Sequence, residues 1–70
     1  MIRETVTSTD LRSVGYDEDA MILEVEFQNG GVYHYFEVPE VIHAELMSAP
    51  SKGRYFNKNI RTVYRCDRIT

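Results

Sequence analysis

The sequence of 70 residues offers neither of the two common ways of stabilising a small domain, a disulfide or a bound metal ion. It contains one cysteine, Cys66, so an intrachain disulfide is excluded. The two histidines, His34 and His43, do not stand at zinc-ligand spacing with that cysteine, so we expect no bound metal and no cofactor. A lone cysteine fits a reducing compartment, and we therefore expect a cytoplasmic protein.

Long apolar runs are also missing. The longest, residues 20–23, is far shorter than the roughly 20 residues of a spanning helix, and the N-terminus lacks the apolar core of a signal peptide. We expect neither membrane insertion nor export. With 43% hydrophobic and 27% charged residues and no internal repeat, the chain predicts one globular domain over residues 1–70.

Charge of one sign is scarce in each half of the chain. Residues 1–40 carry nine acids against two arginines, a net charge of −7, although the whole chain has a net charge of −3. Residues 41–70 carry a net charge of +4, and their six cations are Lys52, Arg54, Lys58, Arg61, Arg65 and Arg68. Such asymmetry favours an anionic partner, although the two halves could also attract each other within the fold.

The first half predicts a three-stranded antiparallel meander. Residues 23–27 alternate between apolar side chains and glutamates, which is the period of a strand with one buried and one exposed face. Residues 32–38 are β-branched and aromatic and end at Pro39, and residues 13–17 form a short third strand.

The turn between the two later strands decides which side chains share a face. A two-residue turn at Asn29-Gly30 or Gly30-Gly31 places Tyr33 and Tyr35 beside Glu24 and Glu26, and places His34 on the apolar face. A three-residue loop would reverse this arrangement.

The second half predicts two helices that pack on one face of the meander, giving an α+β fold of order β-β-β-α-α. The first covers residues 40–48 after Pro39, and Ser51 is a suitable N-cap for the second. In the second helix Phe56, Ile60 and Val63 form an apolar stripe. The β-branched residues that follow Ile60 leave two alternatives open, continued helix or a short C-terminal extended segment.

The second helix also carries the candidate nucleic-acid site. Arg54, Lys58, Arg61 and Arg65 recur at i, i+4, i+7 and i+11, which clusters them within about 60° on one side of a helix. Rows of cations on one face bind phosphate backbones. Together with Lys52 and Tyr55, they form the predicted nucleic-acid-binding set. If the chain becomes extended, Arg65 leaves the row.

Other candidate sites are weaker. Tyr33 and Tyr35 could contact a partner, but packing against the N-terminal segment with hydrogen-bonded hydroxyls is the favoured explanation. Cys66 could pair with a histidine as a nucleophile, but no orienting third group or nucleophile turn accompanies it. We therefore expect a protein that is not an enzyme.

In order and spacing, the segments resemble the KTSC domain, a small bacterial module named for its place at the C-terminus of some lysyl-tRNA synthetases. The resemblance covers about residues 6–68 and rests on the motifs at 13–17, 23–30, 33–39, 51–57 and 60–64. The association with a tRNA-handling enzyme implies RNA binding.

Together, the cationic row and the resemblance predict a noncatalytic domain that binds RNA, either tRNA or single-stranded RNA. The alternative is a protein-interaction or assembly module that uses the sheet edge or the tyrosine face. The two differ in salt dependence, because only the first depends on phosphate contacts.

Overall fold

A computed structural model describes all 70 residues as one five-stranded sheet and two helices. In chain order the elements are β1 (Arg3–Thr5), β2 (Leu11–Asp17), β3 (Ile22–Phe27), β4 (Val32–Tyr35), α1 (Glu40–Ser48), α2 (Lys52–Asn59) and β5 (Cys66–Arg68). The strands are antiparallel and follow chain order across the sheet, with both helices inserted between β4 and β5. Neither helix is long and apolar enough to cross a membrane.

The α+β class, the central meander and the two helices are confirmed, but three strands is wrong, because the sheet has five. The two additional strands are the outer ones. β1 pairs with β2 and β5 pairs with β4, so each lies at one edge. All six of their residues are exposed, which is why no alternation of apolar and polar residues marks them in the sequence.

The loop between β3 and β4 has three residues, so the predicted arrangement of faces is wrong. The Phe27 amide donates to the Gly31 carbonyl at 2.9 Å, and the residues between them are Gln28, Asn29 and Gly30. Tyr33 and Tyr35 consequently pair with Val25 and Leu23 on the helix-covered face. His34 pairs with Glu24 on the other face.

Gly30 permits this loop because its φ is +93°, a region that L side chains rarely adopt. We expect Gly30→Ala to lower the free energy of unfolding by about 1–2 kcal/mol. Gly30→Asn should cost less, since asparagine tolerates positive φ better. Urea unfolding followed by circular dichroism measures both, and equal effects of the two substitutions would contradict the role given to the backbone.

The core lies between the sheet and the two helices. β3 contributes Leu23 and Val25, α1 contributes Leu46, and α2 contributes Phe56, with Ile60 directly after it; all five are at most 2% exposed. Burial of these side chains holds α2 against the sheet and turns its other side to solvent.

No helix covers the opposite face of the sheet, here called the helix-free face. Glu24 accepts hydrogen bonds from Arg3 at 3.0 Å and lies 2.7 Å from the His34 ring. Glu26 accepts from the Ser13 hydroxyl at 2.8 Å and lies 3.8 Å from Arg12. The acids of β3 therefore form ion pairs with Arg3 and Arg12 from the first half of the chain, and Glu24 also lies within hydrogen-bond distance of His34.

His43 of α1 stacks on Tyr16 of β2, with ring centroids 4.7 Å apart. Burial lowers the pKa of His43, against the opposing effects of the nearby carboxylates of Glu4 and Glu40. The folded protein thus binds a proton at this ring less readily than the unfolded chain does.

Stability from His43 is present above the unfolded pKa near 6.5 and is lost as the pH falls through the lower folded value. We expect the urea midpoint to fall between pH 7.5 and pH 5.5. His43→Phe keeps an aromatic ring on Tyr16 but cannot titrate, so its midpoint should fall less. Parallel pH profiles for the two proteins would contradict this assignment.

Candidate nucleic-acid interface

α2 begins as the sequence predicts. The Ser51 side chain caps the helix by accepting a hydrogen bond from the Arg54 amide at 3.3 Å. Gly53 in the first turn packs against the β1–β2 loop, because a Cβ added there would lie 3.0 Å from Asp10 Oδ2. This packing fixes the N-terminal end of the helix, from which the cationic row starts.

The apolar stripe is shorter than predicted. Phe56 and Ile60 are buried, but Val63 is 60% exposed and does not face the sheet. α2 ends at Asn59, with Ile60 as its C-cap at φ −124° and ψ −49°. The extended alternative for the following chain is confirmed by β5.

Three of the predicted cations remain exposed on α2 and the turn that follows it: Arg54, Lys58 and Arg61, here called the basic ridge. Arg54 and Lys58 are four residues apart and so lie about 40° apart around the helix axis. None of the three lies within 4.0 Å of a carboxylate oxygen. The ridge therefore presents cationic side chains that are free of ion pairs to solvent.

The structure does not bring Lys52 and Arg65 into this ridge. Lys52 is half-buried, and its Nζ donates to the Ala49 carbonyl at 3.3 Å. Arg65 lies over the Phe36 ring, 4.9 Å from its centroid, because the chain has left the helix and turned towards β5. Arg65 is thus separated from the predicted row by the end of α2.

Tyr55 connects the two helices. Its hydroxyl donates to Glu45 Oε1 of α1 at 2.7 Å, and burial together with this hydrogen bond raises the pKa of Tyr55 to about 12. A shallow groove of about 330 Å³ runs alongside, lined in part by Pro50, Arg54, Tyr55 and Lys58. The tyrosine therefore flanks the ridge with its hydroxyl already bonded.

On the other flank of the ridge lies a larger concavity, here called the aromatic cleft, with a volume of about 700 Å³. It is lined by Phe27, Tyr33, Tyr35, Phe56 and Cys66, with Thr9, Asp10, Gln28, Asn29, Asn57 and Arg61. Sequence reasoning missed this cleft, because the assumed two-residue turn placed both tyrosines on the other face of the sheet.

Tyr33 and Tyr35 differ in accessibility. Tyr35 is 3% exposed, and burial followed by the neighbouring Cys66 thiol raises its pKa to about 12, against the opposing charge of Arg61. Tyr33 is half-buried and meets Phe27 edge to face at 5.4 Å. The predicted placement of both tyrosines beside Glu24 and Glu26 is wrong, because neither ring lies on the helix-free face.

The groups considered for nucleophilic chemistry lie in three separate places. Cys66 lines the aromatic cleft, His34 lies on the helix-free face with Glu24, and His43 stacks on Tyr16. Nowhere do three His, Cys, Asp or Glu side chains come together in a group that could hold a metal ion.

Comparison with known proteins identifies close relatives. Residues 7–64 match the family model of the KTSC domain. An uncharacterized protein of Stutzerimonas stutzeri is 47% identical over 58 residues, which are 83% of this chain and 82% of that protein.

Longer proteins contain the same segment. A lysine–tRNA ligase of Nostoc punctiforme is 35% identical over 60 residues, which are 86% of this chain but 11% of the ligase. Among solved structures, the crystal structure of a KTSC domain protein from Yersinia pestis superposes with a TM-score of 0.96. It is 42% identical to this chain, and the superposition covers 99% of this chain and 97% of that protein.

Proposed function

Since the chain belongs to the KTSC domain family, we propose that it is a noncatalytic, cytoplasmic RNA-binding module whose basic ridge holds the phosphate backbone. The ridge offers Arg54, Lys58 and Arg61 to consecutive phosphates of a strand that follows the outer side of α2. Each phosphate that a cation neutralises releases counterions, which supplies affinity without sequence preference.

The observation that carries this proposal is that the ion-paired side chains and the unpaired cations lie on opposite sides of the molecule. Glu24 and Glu26 are held by Arg3, Arg12 and His34 on the helix-free face. The ridge lies on the helix side, and none of its cations has an ion-pair partner. A phosphate that approaches the ridge therefore breaks no existing ion pair.

The relatives give independent support. The domain also occurs within lysine–tRNA ligases, which are named for a tRNA substrate, so tRNA is a natural ligand to test beside single-stranded RNA. Because this chain has a net charge of −3, the long-range field repels a polyanion, and we expect modest, local affinity.

The test is a titration of isotopically labelled protein with short single-stranded RNA and with tRNA at several salt concentrations, recorded by NMR. Three ridge contacts predict a slope of about −2 for log affinity against log salt, at about 0.7 per phosphate of a single strand. The amides of residues 51–61 should shift most. Absence of binding at low salt, or shifts confined to the helix-free face, would overturn the proposal.

Assembly through a sheet edge is a second candidate, favoured by the apolar side chains beside both edge strands. Ile2 is 90% exposed next to β1, and Ile69 is 49% exposed next to β5. Both edge strands have only three residues, which limits the number of main-chain hydrogen bonds they can offer. Sedimentation velocity would reveal this mode as a concentration-dependent dimer that salt hardly affects.

A further inference from the structure

We propose that the aromatic cleft is a binding site for a single unstacked nucleobase, whose phosphate is held by Arg61. Where the nucleobase belongs to RNA bound on the ridge, this inference rests on the proposed function. The cleft adjoins the ridge through Arg61, which belongs to the ridge and also lines the cleft. A nucleotide flipped out of a strand on the ridge would therefore reach the cleft without a long linker.

The size and walls of the cleft suit a planar aromatic ligand. Its volume of about 700 Å³ lies within the usual range for small-ligand pockets, about 300–1,000 Å³. Phe56 and Tyr35, which meet edge to face at 5.3 Å, are buried and form the floor. Phe27 and Tyr33 are only partly buried, and they supply the ring surface on which a base can stack.

Some polar side chains at the rim of the cleft already make hydrogen bonds within the protein, and others do not. The Gln28 amide donates to the Ser8 and Leu11 carbonyls, and the Asn29 carbonyl oxygen accepts from the Gly31 amide. The exposed side chains of Asp10 and Asn57 make no side-chain hydrogen bond, although one carboxylate oxygen of Asp10, Oδ2, packs against Gly53. These two groups are therefore available to a ligand.

The charges of the rim set the orientation of the nucleotide. A phosphate is attracted to Arg61 and repelled by Asp10, so the base edge faces Asp10 and the phosphate faces Arg61. The Asp10 carboxylate only accepts hydrogen bonds, which favours bases that carry an exocyclic amino group. Adenine, cytosine and guanine meet this condition, whereas the one donor on the pairing edge of uracil, N3–H, lies between two carbonyl oxygens that repel the carboxylate.

Titration with nucleoside monophosphates tests this site without RNA. We expect CMP, AMP and GMP to shift the ring resonances of Tyr33 and Phe27 upfield, and UMP to bind about threefold to tenfold more weakly, the effect of one hydrogen bond. Ribose 5-phosphate, which has no base, should perturb the surroundings of Arg61 and leave the rings unmoved.

Two variants at exposed positions sharpen the test. Asp10→Asn should remove most of the discrimination between CMP and UMP, because an amide can donate as well as accept. Asn57→Ala should weaken CMP binding while leaving the salt slope for RNA unchanged, because the ridge is intact. Discrimination that survives in Asp10→Asn would overturn the assigned orientation.

The two proposals can fail separately. If RNA binds with a steep salt dependence but neither RNA nor the monophosphates move the cleft rings, the nucleobase site is overturned and the ridge proposal stands. If the monophosphates move the rings while RNA fails to bind at low salt, the ridge proposal is overturned and the cleft is supported as a mononucleotide site.

Discussion

The triple variant Arg54→Gln, Lys58→Gln, Arg61→Gln is expected to lose RNA affinity on the order of 100-fold at low salt, as three phosphate contacts disappear. The slope of log affinity against log salt, about −2 for the parent protein, should become less negative by about 2 and so approach zero. Because all three side chains are exposed and unpaired, the thermal midpoint should hardly change. Fluorescence anisotropy with a labelled RNA across a salt series measures both quantities.

A matched control removes the same charge elsewhere. Arg3→Gln, Arg12→Gln, Arg65→Gln also lowers the net charge by three, but Arg3 and Arg12 reach Glu24 and Glu26 on the helix-free face and Arg65 covers Phe36. None of these three arginines belongs to the ridge or lines the aromatic cleft. If both triple variants weaken RNA binding equally, the effect is one of net charge, and the ridge has no special role.

Phe56→Ala is expected to unfold the domain at room temperature. Phe56 is 2% exposed and meets Phe27 and Tyr35 edge to face at 5.4 and 5.3 Å. Truncation of such a ring costs about 3–5 kcal/mol. A single core of this size rarely supplies more than about 3–5 kcal/mol in total, so little stability should remain. Far-ultraviolet circular dichroism in a urea series measures the loss.

Two comparison variants test whether burial of the Phe56 side chain is the cause of this loss. Phe56→Leu keeps an apolar side chain of substantial volume and leaves a smaller cavity, so it should cost clearly less than Phe56→Ala. Val63→Ala, at a position that is 60% exposed, should stay within about 0.5 kcal/mol of the parent protein. A cooperative transition in Phe56→Ala close to that of the parent would contradict the central place of this ring.

The register of the β3–β4 hairpin shows how far sequence reasoning reaches. Strict alternation of apolar and charged residues in 23–27 located β3, and β-branched and aromatic composition located β4. Neither pattern fixed the loop, since Asn29-Gly30 and Gly30-Gly31 both suit two-residue turns while Gly30 at φ +93° also closes a three-residue loop. That difference of one residue moved Tyr33, His34 and Tyr35 to the opposite faces.

The candidate site was predictable in part for a similar reason. Arg54 and Lys58 keep their predicted helical spacing within α2, which Ser51 caps, whereas Arg61 lies in the turn after the helix ends at Asn59. The end of α2 depends on tertiary packing, since Ile60 is fully buried as the chain turns towards β5. Local helix propensity does not determine where α2 ends, and the predicted position of Arg65 depended on where α2 ends.

The opposite placement of β1 and β5 at the two edges of the sheet governs where a probe can be attached. Met1 lies over Gly15 on the helix-free face, as its Cγ would be 3.2 Å from a Cβ added to that glycine. Cys66 of β5, in contrast, lines the aromatic cleft. A fluorophore or surface tether joined ahead of Met1 would leave the cleft accessible, whereas maleimide labelling of Cys66 would obstruct it.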